Sequence, residues 1–240
     1  MAYVHVIANQ KGGVGKTTVT VNIAAVVADT MGVRGDETPV LGVSADPQAS
    51  MFEWANRVGE DKLPFDFVQC HDDPNALSRL RKLKQYEHIF VDTPGSLEDQ
   101  EILELVLKQA DDVIVPIEPA PMSFNPARRS FRAVIEPSGA PFRVLVNNWD
   151  PRDGTSDRDQ TIGFVEAMGW PRFNTVIRHY KLHTRASADG MTVVQYPKNR
   201  VALEARQDFF RLALEVLGSH SKGAKHARVN GVTTGEENVG

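Results

Sequence analysis

Apolar and polar positions along the chain follow two rhythms. Short apolar runs, rich in β-branched residues, stand at 3–8, 40–44, 65–70, 88–91, 111–117, 142–146 and 172–177. Runs of that length and composition predict buried strands. Between them lie stretches with apolar groups at helical spacing: 19–31, 51–57, 73 to 84, 98–109, 126–135, 157–168, 182–189 and 201–217. Asp73 before Pro74 reads as an N-cap with proline in the first turn. Strands alternating with helices predict an α/β fold, a mostly parallel twisted sheet with helices on both faces.

The last helix carries Leu203, Phe209, Phe210, Leu212, Leu214, Val216 and Leu217, an apolar set that reads as core-facing rather than membrane-binding. Gly218 is expected to cap it. Residues 219–240 are polar, Gly-rich and poor in aromatics, the composition of a disordered tail. The expected division is one α/β domain over 1–218 and a tail over 219–240.

Composition narrows the class. A chain of 240 residues, 41% hydrophobic and 24% charged, suits one soluble domain with a sizeable core. No apolar run of about 18 residues is present, so no membrane span is expected. Met1 stands two residues before the first strand, which leaves no room for a signal peptide. The single cysteine, Cys70, rules out an internal disulfide and argues against a metal site built from the chain's own thiols. A cytoplasmic location is expected.

The candidate chemistry starts at Lys11-Gly12-Gly13-Val14-Gly15-Lys16-Thr17-Thr18, between the first strand and the first helix. Strand, glycine-rich turn, then Gly-Lys-Thr opening a helix is the phosphate-cradle context. Glycines let the backbone wrap closely round a phosphate, and the amides of 12–17 and the helix dipole face the same anion. Lys16 is placed to reach the β- and γ-phosphates, and the Thr17 hydroxyl to bind Mg²⁺. Asp92, at the end of the fourth apolar run, is placed to hold Mg²⁺ through water. Asn147 and Asn148 end a later strand. Their amides fit an adenine edge, or simply cap the strand; both readings stand.

The net charge of −4 does not itself suggest nucleic acid, but its distribution does. Residues 171–228 hold eleven Lys and Arg against four acids, a surplus of +7, which leaves −11 for the rest. A basic C-terminal part on an acidic body favours a polyanion.

The second loop lysine, Lys11, makes this segment resemble the deviant Walker A motif of the ParA/MinD superfamily. Asp46-Pro47-Gln48 resembles the signature after the second strand of ParA proteins, and Asp92-Thr93-Pro94-Gly95 resembles a Walker B segment ending in the switch glycine. Arg185-Ala186-Ser187-Ala188-Asp189-Gly190 before a long helix is also similar to that family. The resemblance covers residues 1 to about 218 and is to the short ParA type without an N-terminal helix-turn-helix. It implies an ATPase using ATP and Mg²⁺. Lys11 would reach the nucleotide of the other subunit, Asp46 would orient the attacking water and touch Mg²⁺ through water, and Gly95 would sense the γ-phosphate. The family pattern usually has an aspartate where Ser44 stands, which puts metal coordination and turnover rate in question.

The resemblance further implies an ATP-bound sandwich dimer on non-specific DNA, with no membrane partner and a nucleoid-associated location. A ParB-like partner would stimulate hydrolysis, to segregate a plasmid or chromosome. Arg178, Lys181, Arg185, Lys198 and Arg200 are the DNA-facing candidates. The alternative is a ParA-like ATPase that positions a protein cargo such as a carboxysome. A MinD-like membrane cycler would need an amphipathic C-terminal anchor, and 219–240 offers no apolar side chain bulkier than valine.

Overall fold

The computed structural model describes residues 1–32, 37–58, 63–95 and 99–229, with side chains as far as residue 219. The strands are β1 (Tyr3–Ile7), β2 (Val40–Ser44), β3 (Asp66–Gln69), β4 (His88–Asp92), β5 (Asp112–Ile117), β6 (Phe142–Trp149) and β7 (Arg172–Arg178). They form one sheet in the order β3-β2-β4-β1-β5-β6-β7, every pair parallel. β1 lies in the middle, so the chain winds outward from it in both directions. The crevice at such a reversal, outside the carboxyl ends of the strands, is where open α/β sheets bind ligands.

The helices are α1 (Lys16–Met31), α2 (Ser50–Arg57), α3 (Pro74–Leu77), α4 (Gln100–Leu107), α5 (Phe124–Ser130), α6 (Glu136–Ser138), α7 (Ser156–Ala167), α8 (Lys181–Ala188) and α9 (Arg200–Val229). Alternate residues of the central strands feed two cores. Ile7, Phe90, Ile114, Leu145 and Phe173 face α1 and α9. Val6, Val91, Val115 and Val144 face the layer that holds Leu103, Phe131 and Val165. Burial on both faces explains why the strands read as continuous apolar runs. α1 is buried almost all round, from Val19 to Ala28, as a helix between a sheet and a second helix must be.

Three helices depart from the expected pattern. The segment after Asp73 does not run to residue 84. The Asp73 carboxylate caps Ala76 N at 2.9 Å, but the Ser78 hydroxyl donates back to Asn75 O at 2.8 Å. Such local bonds compete with the helical ladder. α3 therefore stops at Leu77, and a 3₁₀ turn follows at Leu80–Lys82. Between α5 and α6 the ladder widens into a π turn, Phe131–Ile135. Pro137 follows two residues on, and it lacks an N–H and would crowd a regular turn. Gly218 does not cap α9: it lies inside the helix with no left-handed backbone, the geometry a glycine cap needs, and the helix runs to Val229. The remainder of the expected tail, 230–240, lies outside the described residues, as does residue 98, the expected start of α4.

Candidate phosphate-binding site

The first loop is held from the carboxyl ends of neighbouring strands. Gly13 and Gly15 are left-handed, with φ of 78° and 83°. Gly15 has a second reason to lack a side chain, since a Cβ there would meet Asn147 Nδ2 at 2.6 Å. That nitrogen donates to Val14 O at 2.7 Å, so Asn147 clamps the loop from the end of β6. Asn9 pins the loop's other side: Nδ2 donates to Pro116 O (2.8 Å) and Oδ1 accepts from Lys11 N (2.9 Å). Lys16 opens α1, so the free amides of its first turn point into the cradle.

The Lys16 ammonium is buried and close to Gly95, where a Cβ would stand 2.9 Å from Nζ. Burial lowers its pKa, while Asp92 and then Asp46 pull it back up. Thr17 Oγ1 donates to Asp92 Oδ2 at 2.6 Å. Asp92 is fully buried, and burial pushes its carboxyl up to about 7 against the Thr17 hydrogen bond and the Lys16 charge. Asp46 Oδ1 accepts from Gln48 N at 2.9 Å, and this carboxylate lines the same cleft of about 700 Å³ as Lys16, Thr17 and Gly95. Ser44, beside Asp92 in register, has a buried hydroxyl in place of a third carboxylate.

These donors fit a hard cation such as Mg²⁺. They are one hydroxyl and two carboxylates, all oxygen. Among the described residues no group of three or more His, Cys, Asp or Glu forms a metal cage. That suits an ion held largely by phosphate oxygens and water. Chemically, the arrangement can wrap a polyphosphate in amides, place ammonium charge on it and set a carboxylate at the cleft wall.

A neighbouring cavity of about 340 Å³ opens from Gly15 and Thr18 to Asn147, Asn148, His179 and Tyr180, with His183 and Thr184 also in its wall. Asn147 is there, but its amide nitrogen is committed to the loop. Asn148 meets His179 Nδ1 through Oδ1 at 2.6 Å and Glu118 through Nδ2 at 3.2 Å. His179, Tyr180 and His183 were missed by sequence reasoning. The signal available was a His-Tyr pair and a further His just past a strand end. Burial, then the nearby His179, holds the His183 imidazole down to about 4.

The basic candidates do not form one set. Lys181, Arg185, Lys198 and Arg200 are exposed, and the first two stand one turn apart on α8. Arg200 pairs with Glu204 at 2.9 Å. Arg178 is committed inside the chain, donating to both Asp208 oxygens (2.8 and 2.9 Å) and to Glu204 O (2.9 Å). Lys11 reaches Glu118 Oε2 at 2.7 Å and Ser123 Oγ at 3.0 Å.

A glycine-rich cradle at the centre of a parallel sheet defines a P-loop nucleotide-binding fold. Residues 5–193 match the family described as the CobQ/CobB/MinD/ParA nucleotide binding domain, and the chain belongs to that family. It is 37% identical over 208 residues to a "Maintenance of carboxysome distribution protein A" of Gloeobacter kilaueensis, covering 87% of this chain and 91% of the relative. The fold superposes on the MinD cell division protein of Aquifex aeolicus with a TM-score of 0.71 at 20% identity, covering 90% and 98% of the two chains. It also superposes on the septum site-determining protein MinD of Pyrococcus horikoshii, solved with Mg-ADP, with a TM-score of 0.69 at 21% identity and coverage of 90% and 96%.

Proposed function

We propose that the chain is an ATPase that positions a protein cargo on DNA, the second of the two functions its sequence suggests. The observation that carries the choice is the similarity, over 87% of the chain, to a protein of carboxysome distribution. Cargo positioning and DNA partition share one cradle, so the cradle alone does not favour the partition reading.

In this reading the amides of Gly12, Gly13, Gly15, Lys16, Thr17 and Thr18, with the backbone of Val14 between them, hold the phosphates of ATP. Gly95 faces the γ-phosphate, and the cavity beside Asn147, Asn148 and His179 takes the base. Thr17, with Asp92 and Asp46 acting through water, would hold Mg²⁺, which when bound supplies charge neutralisation on the phosphate oxygens. Lys16 stabilises the charge that develops on the transferred group, and Lys11 does so from the other subunit of an ATP-bound dimer. Asp46, fixed by Gln48 N, orients the attacking water. Basal turnover is slow and an adaptor protein accelerates it. Lys181, Arg185, Lys198 and Arg200 contact DNA phosphates without sequence preference, so DNA binding weakens with salt. Among the described residues no helix is long and apolar enough to cross a bilayer.

The test pairs binding with cell imaging. Lys16→Ala is expected to lose ATP binding by more than about 100-fold, two charge-assisted phosphate contacts' worth. ATP-dependent binding to a random duplex is expected to vanish with it. In cells the same variant is expected to scatter the protein cargo while plasmids are inherited normally. Plasmid loss with an undisturbed cargo would return the protein to DNA partition.

A further inference from the structure

Most polar groups in the wall of the cavity of about 340 Å³ are engaged within the chain. Tyr180 Oη donates to Glu204 Oε2 at 2.9 Å, and the Arg178 guanidinium is held by Asp208. Asn147 Nδ2 donates to Val14 O, and His183 Nδ1 meets Tyr196 Oη. His179 differs. Its backbone N–H donates to Trp149 O at 2.7 Å and its Nδ1 meets Asn148 Oδ1 at 2.6 Å, which together fix the ring. Among the described residues its Nε2 has no hydrogen-bond partner.

The neighbours decide which ring nitrogen carries the proton. Asn148 Nδ2 lies 3.2 Å from Glu118 Oε1. A carboxylate only accepts, so the amide nitrogen of Asn148 faces Glu118 and its oxygen faces His179. An amide oxygen also only accepts. The imidazole proton therefore sits on Nδ1, and Nε2 of the neutral ring presents a bare lone pair. Asn148 is held for this task in left-handed backbone, φ 66°. His179 follows β7, three strands across the sheet from β1 and so about 14 Å to the side of the strand that leads into the phosphate loop. The C6 edge of a purine lies opposite its ribose. Phosphates seated in the loop send that edge away from the loop, towards this wall.

We propose that His179 is the specificity-determining residue for the base: Nε2 accepts from the 6-amine of adenine, and Asn148 and Glu118 are positioning residues that fix the tautomer. This rests on the reading in which the cavity takes the base of ATP. Guanine brings a carbonyl oxygen to the same place. Two acceptors then face each other and neither is satisfied, so GTP is refused.

The test changes one atom group on each side. ATP is compared with purine riboside triphosphate, which has hydrogen in place of the amine, and with GTP. The phosphates are common to all three, so effects at the loop cancel in the ratios. Wild type is expected to bind ATP about tenfold tighter than the purine analogue and about 100-fold tighter than GTP. In His179→Ala the ATP-to-analogue ratio is expected to fall to about one, and in His179→Gln, whose amide oxygen can accept, to recover in part. Asn148→Gly suits the left-handed backbone and frees the tautomer, so its ratio is expected at about threefold. A role in packing alone would weaken both ligands together and leave the ratio unmoved. A wild-type ratio that survives in His179→Ala would overturn the proposal and give the amine to Asn147 Oδ1 or a backbone carbonyl. A wild-type preference for GTP would overturn the tautomer. If wild type binds inorganic tripolyphosphate as tightly as ATP, no base is held in the cavity, and the reading beneath the proposal fails without any variant.

Discussion

The two ends of the central strands bury the same kinds of residue to opposite effect. At the amino ends Asp111 and Asp112 stand at the start of β5. Asp112 pairs with Arg143 at the start of β6, and Asp111 with Arg81. Arg143 also donates to Glu215 O at 3.1 Å and lies 4.0 Å over the Phe173 ring. Asp111 further accepts from Val4 N at 2.9 Å. Each carboxylate meets its own guanidinium. At the carboxyl ends Asp92 and Asp46 share one ammonium, Lys16, and burial has raised the first acid and lowered the base. A pair with matched charge is a fastening. A buried cluster with unmatched charge and an open cleft is what a ligand completes.

Removing one partner from the closed end is expected to be the most damaging change. Arg143→Leu takes the guanidinium from Asp112, which is 5% exposed, and removes the cap over Phe173. Breaking such a pair costs about 3 kcal/mol or more. The midpoint of urea unfolding is expected to fall accordingly, with the affinity of the folded fraction for ATP unchanged. A matching loss of ATP affinity would erase the distinction between the two ends.

The fold was legible because its signals are local. The central strands are short apolar runs, and the edge strands β3 and β7 alternate polar and apolar residues. The phosphate loop is equally local. What sequence reasoning did not reach depends on pairs far apart in the chain. Asn147 clamps a carbonyl 133 residues away, and Arg178 finds its acid 30 residues on. Neither partner choice exists until β6 and β7 are ordered in the sheet and α9 lies across them. Sequence reads Asn147 as a base contact or a strand cap; its amide nitrogen also clamps the loop, a contact no local signal announces. His179 and His183 approach the site only because β7 lies beside β6. The cargo was beyond reach for another reason, since both functions use identical phosphate chemistry.

A second test probes His183 at the open end. Its ordinary value is 6.5, and in the fold it is held down to about 4, first by burial and then by His179, with a hydrogen bond to the Arg178 backbone opposing. Its Nδ1 meets Tyr196 Oη at 3.0 Å, so the ring is fixed rather than free to swing towards water. Between pH 6.5 and 4 the unfolded chain takes up a proton that the folded chain refuses. The contribution of this site is therefore complete above about pH 6.5 and lost progressively as pH falls towards 4. The loss is expected to reach about 2 kcal/mol. His183→Gln should flatten that part of the stability profile measured by thermal melts across pH; an unchanged slope would assign the acid sensitivity to other groups.

The smallest effect in stability has the opposite sign, and it isolates the open end. In Asp92→Asn a fully buried carboxylate becomes a neutral amide whose oxygen can still accept from Thr17 Oγ1. Because burial is the dominant force on Asp92, lifting it to about 7, the ionised group is a cost that the nucleotide-free protein carries at neutral pH. Relieving it is expected to stabilise the nucleotide-free protein by about 1 kcal/mol, part of the shift being returned when the Lys16 ammonium loses a partner. The same substitution is expected to weaken the Mg²⁺ dependence of ATP binding, since it removes one of the two carboxylates near Thr17. A variant that melts higher without nucleotide yet gains less from Mg²⁺ would mark Asp92 as a ligand-directed charge. A variant that melts several degrees lower would instead make Asp92 a fastening like Asp112, and the two ends of the sheet would then differ only in shape.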